Sequence, residues 1–150
     1  MRILVQRVKK ASVTISGELS SSIGAGVLVL LGIEETDTGD DVRWLATKLV
    51  NLRVFDDDNG VMNISVTEAD GEVMIISQFT LYASTRKGNR PSYIRAARPE
   101  TAIPLYNSFI SETESLLGKR VMTGTFGAMM DVMLINDGPV TIFIDSKSRE

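Results

Sequence analysis

Polar side chains that can take part in chemistry cluster in the segment Ser77-Gln78-Phe79-Thr80, directly after the apolar run 73–76. Functional side chains are commonly held at the end of a buried strand, and a glutamine offers both a donor and an acceptor. A threonine hydroxyl is a weak nucleophile unless a base activates it, and the sequence shows no base nearby. The segment therefore indicates a polar site, although threonine is also an ordinary strand residue.

The 150 residues include no histidine and no cysteine. Their absence excludes Ser-His-Asp and Cys-His nucleophilic catalysis, histidine or thiolate zinc sites, and a disulfide framework. The acidic run 56–60 lacks the ligand spacing of a calcium loop and is interpreted as a turn. We therefore expect no metal and no cofactor, and an enzyme built from this chain must use hydroxyls, carboxylates, lysines, backbone dipoles or groups of its substrate.

A basic segment lies within a chain whose formal net charge is −3. No acidic residue occurs between Glu72 and Glu100, where five cationic residues lie: Arg86, Lys87, Arg90, Arg95 and Arg98. Such a run is either a solvated loop or an anion site, and Tyr82 and Tyr93 within it suit stacking on exposed nucleotides. From charge alone, the solvated loop is the better interpretation.

Two further segments carry signals that are weak when taken alone. Residues 136–139 read Asn-Asp-Gly-Pro, which are the usual turn residues, so a turn is predicted between two strands. A cis bond does not follow from the Gly-Pro dipeptide, since few X-Pro bonds are cis. The small residues between Phe126 and Met130 fit the wall of an apolar pocket, or equally ordinary core packing.

The elements that must position these residues follow from the apolar pattern. Alternating or continuous apolar runs predict strands at 2–8, 11–16, 26–33, 52–55, 72–79, 121–123, 132–135 and 140–144. Thr38 and Asp41 resemble a capping box at the start of one helix. A second helix is predicted from Pro99 to about Leu117, with Gly118 as its stop.

Many strands with two helices predict an α+β fold. We expect a curved, barrel-like, mostly antiparallel sheet with two main helices packed on one side, in a single domain over residues 1–150. No apolar run approaches the ~18 residues that a membrane span needs, and the first residues do not resemble a signal peptide. The predicted location is cytoplasmic, with no membrane partner.

Taken together and in order, the motifs resemble the D-aminoacyl-tRNA deacylase family over residues 1 to about 145. The segments around Thr80 and Pro139 are the most specific. The resemblance rests on 6–8 (Gln-Arg-Val), 11–14 (Ala-Ser-Val-Thr), 77–82 (Ser-Gln-Phe-Thr-Leu-Tyr), 87–92 (Lys-Gly-Asn-Arg-Pro-Ser), 126–128 with Met130, and 136–141 (Asn-Asp-Gly-Pro-Val-Thr).

The resemblance implies an enzyme that hydrolyses the ester joining a D-amino acid, or glycine mischarged on tRNA(Ala), to the 3′ end of tRNA. It implies a homodimer with sites at the subunit interface and a tRNA acceptor end as partner, and no DNA. A cis Gly138-Pro139 peptide is expected to reach into the partner subunit's pocket and exclude L-amino acids by steric clash.

The same resemblance implies the residues of the site. Thr80 and Gln78 are the expected catalytic residues, with backbone N–H groups near them stabilising an oxyanion. Substrate binding is expected from Ser77, Phe79, Phe126, Met130, Gly138, Pro139, Val140 and Thr141. The phosphates of the tRNA are expected to bind Arg86, Lys87 and Arg90.

The cleavage step leaves two mechanisms open. Thr80 acts as the nucleophile, or the 2′-hydroxyl of the terminal adenosine activates water; we favour the second because the chain has no histidine or cysteine. Three other functions compete with the deacylase: an RNA-binding module without catalysis, a dimeric interaction protein with a basic docking loop, and a hydrolase of small D-amino-acid esters.

Overall fold

The computed structural model describes residues 1–149. Two helices, eight strands and one 3₁₀ turn follow the chain in this order: β1 (Arg2–Ile15), β2 (Glu18–Ile23), β3 (Gly26–Gly32), α1 (Gly39–Val50), β4 (Arg53–Asp56), β5 (Met62–Ser65), β6 (Glu72–Ser77), the 3₁₀ turn (Phe79–Tyr82), α2 (Pro99–Leu117), β7 (Met122–Thr123) and β8 (Met130–Asp145). Neither helix is long and apolar enough to cross a membrane.

The long strand β1 organises the main sheet, whose order is β2-β1-β3-β6-β7 with β8 also paired to β1. Strand β1 pairs antiparallel with β3 through its first half, with β2 through its second half, and with β8 along both. The β3–β6 and β6–β7 pairs are parallel, and β4 and β5 form a separate antiparallel hairpin. Because β3 and β2 pair with successive halves of β1 along the same edge, the sheet bends, as predicted.

The apolar residues of the sheet divide between its two faces. On β3, Val27, Val29 and Leu31 pack with α1 and α2, whereas Leu28 packs on the opposite face with Met74 of β6. Both faces of β3 are therefore buried, which explains its continuous apolar sequence. The helices cover one face, and the other is closed by side chains of β2 and β8. The α+β prediction, with both helices on one side, is confirmed.

The predicted ends of the helices are also confirmed. Thr38 and Asp41 form the reciprocal hydrogen bonds of a capping box at α1, and Pro99 begins α2. Gly118 ends α2 with a φ of 73°, a conformation that favours glycine. The carboxylate of Glu35 accepts from the backbone N–H of Arg98 at 2.7 Å, so it takes the place of a side-chain cap at the start of α2.

The predicted turn at 136–139 does not separate two strands. Strand β8 continues through it, because Asn136 lies opposite Val8 and Thr141 lies opposite Gln6 on the same partner strand. The residues between them form a bulge, and the side-chain amide of Asn136 donates to the carbonyls of Arg7 and Val140, both at 3.0 Å. Turn residues were recognised correctly, but here they produce a bulge rather than a reversal. Likewise, the predicted strands 2–8 and 11–16 are the single strand β1.

Candidate active site

An apolar pocket of about 340 Å³ opens where β3 and β6 end. Aliphatic and aromatic side chains make most of its wall, and Ser77 and Gln78 place polar groups at its edge. The lining residues are Leu31, Ile33, Ile76, Ser77, Gln78, Phe79, Ala97, Ala102, Phe126, Gly127, Ala128, Met129, Met130 and Val132. An apolar cavity with few polar groups is typical of a small-molecule or acyl-group site.

The 3₁₀ turn that follows β6 is fixed against the end of β3. The backbone N–H of Gln78 donates to the Leu31 carbonyl at 2.7 Å. A Cβ atom on Gly32 would lie 2.9 Å from Cβ of Leu81 and 3.1 Å from the Gln78 carbonyl oxygen. Only glycine allows the turn to pack this closely, so Gly32 sets the position of the segment 78–81.

Thr80 is placed by its neighbour Gln78, whose side-chain amide donates to the threonine hydroxyl oxygen. The hydroxyl proton of Thr80 remains free to be donated. Within residues 1–149 no carboxylate or amine hydrogen-bonds to Thr80, and an amide is not a base. The arrangement suits orientation of a substrate or a water molecule better than activation of the threonine.

Two backbone donors of the turn have no acceptor in the described part of the chain. The N–H groups of Phe79 and Thr80 have no acceptor among residues 1–149, whereas the N–H of Gln78 is engaged by Leu31. Free N–H groups at the edge of a pocket can stabilise a developing oxyanion. The N–H groups of Phe79 and Thr80 are therefore the candidates for the backbone donors that the sequence analysis expects near Thr80.

Aromatic rings build the walls on either side. Phe126 meets Tyr106 edge to face with ring centroids 5.6 Å apart, and the Tyr106 hydroxyl donates to the Ile75 carbonyl at 3.0 Å. Burial raises the pKa of Tyr106 to about 12, so it stays protonated and acts as a donor. Phe79 is 57% exposed and meets Tyr93 edge to face at 5.0 Å.

Of the two tyrosines that suit stacking under the anion-site alternative, Tyr82 is not accessible for it. Tyr82 is only 1% exposed and lies beneath the guanidinium of Arg2, which is 4.4 Å from the ring centroid. Burial raises the pKa of its hydroxyl, which has no hydrogen-bond partner in the described part of the chain. Tyr93, by contrast, is 39% exposed and remains accessible for stacking.

The basic segment forms an exposed loop closed by Ser84 and Ser92. Their backbone groups pair in both directions, at 2.8 and 2.9 Å. Arg86, Lys87 and Arg90 lie on the loop, exposed and without an ion pair among residues 1–149. The other two arginines of the segment contact the glutamates that follow β3. The side chain of Arg95 forms an ion pair with Glu34 at 3.3 Å, and the backbone N–H of Arg98 donates to Glu35.

The bulge of β8 presents Gly138 and Pro139 to solvent, joined by a cis peptide bond. Val140 is buried, and the Thr141 hydroxyl accepts from the Gln6 amide at 3.2 Å. None of these four β8 residues lines the pocket within residues 1–149 of one chain. Any contact between the bulge and a pocket therefore needs a second copy of the chain.

The buried side chain of Arg7 holds the bulge from below. Its Nε donates to the Asp137 carbonyl at 3.1 Å and pairs with the Asp137 carboxylate, also at 3.1 Å. Its Nη1 donates to the Val54 carbonyl at 2.6 Å, which ties the bulge to β4. A planar guanidinium with several donors suits this bridging of two elements.

Comparison with known proteins decides the family. A family model described as D-Tyr-tRNA(Tyr) deacylase matches residues 4–145. The chain belongs to this family. A protein of Parabacteroides distasonis named D-aminoacyl-tRNA deacylase is 62% identical over 150 residues, the full length of both chains. One of the same name from Bacteroides thetaiotaomicron is 61% identical over the same span, again all of both chains.

Solved structures share the fold of this member of the deacylase family. The protein named c-Myc DNA Unwinding Element Binding Protein is 42% identical with a TM-score of 0.90, covering 97% of this chain and 98% of its own. A probable eukaryotic D-amino acid tRNA deacylase has a TM-score of 0.82 at 17% identity, covering 95% of this chain and 97% of its own; at that identity only the fold is compared. The predicted family, and with it a hydrolase acting on ester bonds, is confirmed.

The structure of this deacylase-family chain brings some predicted site residues together and keeps others apart. Ser77, Gln78, Phe79, Phe126 and Met130 all line the pocket, and Thr80 contacts Gln78 at its edge. The bulge residues and the cations of the loop are not among the lining residues of the pocket. Their roles in binding stay predictions.

Sequence reasoning missed part of the pocket wall. Leu31, Ile33, Ala97 and Ala102 line the pocket, and none of them was among the predicted site residues. Apolar and small side chains such as these occur equally in pocket walls and in the core, so the sequence carried no signal for them. In the described residues no cluster of three or more acidic side chains is arranged to hold a metal.

Proposed function

We propose that this chain hydrolyses the ester bond of D-aminoacyl-tRNA and releases the D-amino acid and free tRNA. One observation carries the proposal. At the edge of the apolar pocket of this deacylase-family chain, the Thr80–Gln78 pair lies beside the N–H groups of Phe79 and Thr80, which have no acceptor among residues 1–149. Such an edge offers hydrogen bonds to an ester carbonyl without supplying a nucleophile. Both chemical products follow from attack of water on that carbonyl.

The proposed step uses the substrate's own hydroxyl. Water, oriented by the 2′-hydroxyl of the terminal adenosine, forms a bond to the ester carbonyl carbon, and the carbonyl oxygen gains negative charge beside the N–H groups of Phe79 and Thr80. The bond to the ribose 3′-oxygen then breaks, and that oxygen takes the proton lost by the water. Gln78 keeps Thr80 oriented at the reacting group, and neither side chain becomes covalently attached.

The proposed discrimination against L-amino acids lies in the Gly138-Pro139 segment of a partner subunit. A selector made of backbone does not depend on the substrate's side chain, so one pocket accepts many D-amino acids and also glycine, including glycyl-tRNA(Ala). The proposal requires a homodimer with sites at the subunit interface. Its support is that the bulge is exposed, held by Arg7 and Asn136, and remote from its own chain's pocket.

The proposed contact with the tRNA acceptor end is the loop bearing Arg86, Lys87 and Arg90. Three exposed cations without an ion pair among residues 1–149 suit phosphate groups, and this contact should weaken with salt. The exposed ring of Tyr93 next to Phe79 adds a surface on which a terminal base can stack. A cytoplasmic location, where aminoacyl-tRNA is used, belongs to the same proposal.

The deciding experiment incubates the protein with matched D- and L-tyrosyl-tRNA and measures release of tyrosine. We expect deacylation of the D form only. Binding of tRNA without hydrolysis would instead indicate an RNA-binding module, and neither binding nor hydrolysis would indicate an interaction protein. Equal hydrolysis of free D-tyrosine esters would indicate a small-molecule hydrolase.

The mechanism is tested separately with Thr80→Ala and with a substrate whose terminal adenosine lacks the 2′-hydroxyl. We expect the variant to retain much of its activity on D-tyrosyl-tRNA, and the 2′-deoxy substrate to be hydrolysed at least tenfold more slowly, because general acid–base assistance contributes about 10²–10⁴-fold. Full activity on the 2′-deoxy substrate, or complete loss in Thr80→Ala, would favour the threonine mechanism.

A further inference from the structure

A groove on the outer face of α1 carries a concentration of positive charge that the proposed reaction does not use. Two adjoining cavities of about 750 and 530 Å³ share Trp44, Lys48 and Leu52, so they form one continuous groove. It shares no lining residue with the apolar pocket. Five cationic side chains line it: Arg2, Arg43, Lys48, Arg53 and Arg149.

The two carboxylates of the groove are already neutralised. Asp40 is bound by Arg43 within the first turns of α1, and Asp145 is bound by Arg2 at 2.8 Å. Lys48 has no carboxylate within 4.0 Å in the described part of the chain. The groove therefore has an excess of positive charge although the whole chain carries −3. A local excess of this kind attracts anions.

The single tryptophan of the chain orients part of this charge. The ammonium of Lys48 lies 5.6 Å from the centroid of the Trp44 ring, and the guanidinium of Arg149 lies 4.6 Å from it. Cation–π contacts hold both flexible side chains against the groove wall, which lowers the entropy cost of ligand binding. Nε of Arg149 donates to the Ser146 carbonyl at 3.0 Å, whereas its terminal N–H groups and the Lys48 ammonium have no acceptor among the described residues and stay available to an anion.

The groove begins directly behind the turn that carries Thr80. At its near end, Nη1 of Arg2 donates to the carbonyl of Leu81 at 3.0 Å, and the Arg2 guanidinium stacks on Tyr82. From Arg2 the groove extends past Phe143 to Lys48 and Trp44. The Arg2 end of the groove therefore contacts Leu81, the residue that follows Thr80 in the turn.

We propose that the groove binds the sugar-phosphate backbone of the tRNA beyond its acceptor end. This inference rests on the proposed function, because the Arg2–Leu81 contact puts the end of the groove beside the proposed site, and a ligand that occupies both must be long and anionic, as tRNA is. Repeated phosphate groups match a row of separate cations, and recognition through phosphates is independent of tRNA sequence. The groove raises affinity for full-length tRNA without touching the ester.

The test compares wild type with the double variant Arg43→Gln/Lys48→Gln. Binding of uncharged tRNA is measured across salt concentrations, and deacylation is measured on full-length D-tyrosyl-tRNA and on a short acylated acceptor-stem mimic. We expect the slope of log K against log salt to fall by roughly 0.7–0.9 per cation removed. KM for full-length tRNA should rise about fivefold or more, with kcat and activity on the mimic unchanged.

Lys119→Gln is the matched control, since Lys119 is also a surface cation but pairs with Asp70 at 2.7 Å outside the groove. An unchanged salt slope and KM in the double variant would overturn the groove proposal. So would a changed oligomeric state with unchanged tRNA binding, which would make the groove an interface between two copies through the exposed Phe143. Lack of hydrolysis of full-length D-tyrosyl-tRNA by wild type would refute the proposed function instead, while the salt slope would still test the groove.

Discussion

At the scale of single residues, the candidate site depends on a glycine, Gly32. Gly32 ends β3, and the turn that carries Gln78 and Thr80 rests on it. A methyl group there would meet Leu81 and the Gln78 carbonyl closer than van der Waals contact allows. The catalytic geometry therefore depends on a residue that does not itself contact the substrate.

Gly32→Ala is expected to displace the turn and to lower kcat for D-tyrosyl-tRNA about 10- to 100-fold, because displacements near 1 Å reduce catalysis on that order. Overpacking should also cost about 1–3 kcal/mol of unfolding free energy. The control is Gly39→Ala, where the added methyl meets only the flexible end of Arg43, at 3.3 Å. Wild-type kcat in a folded Gly32→Ala protein would contradict the assignment.

Arg7 is expected to matter for selectivity more than for rate. Arg7→Met removes four hydrogen bonds or ion pairs, two to Asp137 of the β8 bulge and two to Val54 and Asp56 of β4, and should cost about 2 kcal/mol of stability. If the bulge excludes L-amino acids, hydrolysis of L-tyrosyl-tRNA should rise while the D reaction changes little. The measurement is the ratio of kcat/KM for the two substrates.

The matched control for that ratio is Lys9→Met, which removes an exposed cation two residues along the same strand. Its ratio should equal that of wild type. An Arg7→Met protein that is folded but rejects L-tyrosyl-tRNA as strongly as wild type would show that the guanidinium does not position the selector.

At the scale of elements, Ser146 and Lys147, which directly follow β8, are held against the start of α1. The Ser146 hydroxyl donates to Asp41 at 2.7 Å, and the Lys147 ammonium pairs with the same carboxylate at 2.8 Å. Asp41 also closes the capping box of α1. One buried carboxylate thus connects the start of α1 to the end of the sheet.

This carboxylate gives stability a defined pH dependence. Burial alone would raise the pKa of Asp41, but hydrogen bonds from Lys147, Ser146 and the Thr38 backbone outweigh it and hold the pKa well below its ordinary value of 3.8. A lowered folded-state pKa stabilises the fold above the unfolded-state pKa, and this contribution is lost as pH falls through the folded-state value.

Asp41→Asn should therefore be less stable than wild type by about 2–3 kcal/mol at pH 7, from lost charge-assisted hydrogen bonds. The difference should shrink as the pH falls below 3.8. Urea unfolding of both proteins from pH 7 to pH 2.5 measures it. A difference that stays constant over this range would mean that the charge of Asp41 does not stabilise the fold.

Local patterns predicted the elements well where a local rule decides the structure. The capping box at Thr38 and the glycine stop at Gly118 depend on a few adjacent residues, and both were placed correctly. The bulge at 136–139 could not be predicted, because its course is decided by hydrogen bonds to Arg7, about 130 residues away in the chain. The burial of Tyr82 beneath Arg2 is likewise a contact between distant segments.

The pocket likewise combines residues that the sequence identified with residues that only the folded chain brings together. The motif 77–80 and Phe126 were identified from sequence, since motif order along the chain carries that information. The wall formed by Ile33, Ala97 and Ala102 comes from three segments that meet only in the folded chain: the residue after β3, the loop before α2, and α2 itself. Their apolar or small side chains have no sequence feature that separates pocket lining from core.

At the scale of the whole molecule, the pocket and the bulge of one chain are separate, so the proposed selectivity requires two chains to share each site. The exposed apolar side chains of β8, including Met133 at 65% and Ile135 at 45% exposure, provide a surface for such an association. This arrangement makes a specific prediction about mixed dimers. Selectivity should be transferable from one subunit to its partner.

The experiment mixes two variants under conditions of subunit exchange. Ala128→Trp fills the pocket and should abolish activity while leaving the bulge intact; Pro139→Ala keeps the pocket but should permit hydrolysis of L-tyrosyl-tRNA. In a mixed dimer, the open pocket of the second variant receives the intact bulge of the first. We expect L-tyrosyl-tRNA hydrolysis per Pro139→Ala subunit to fall by about half at equal mixing and towards zero with excess Ala128→Trp, while D-tyrosyl-tRNA hydrolysis per subunit is maintained. If the bulge acts within its own chain, L-tyrosyl-tRNA hydrolysis per Pro139→Ala subunit will not change at any ratio.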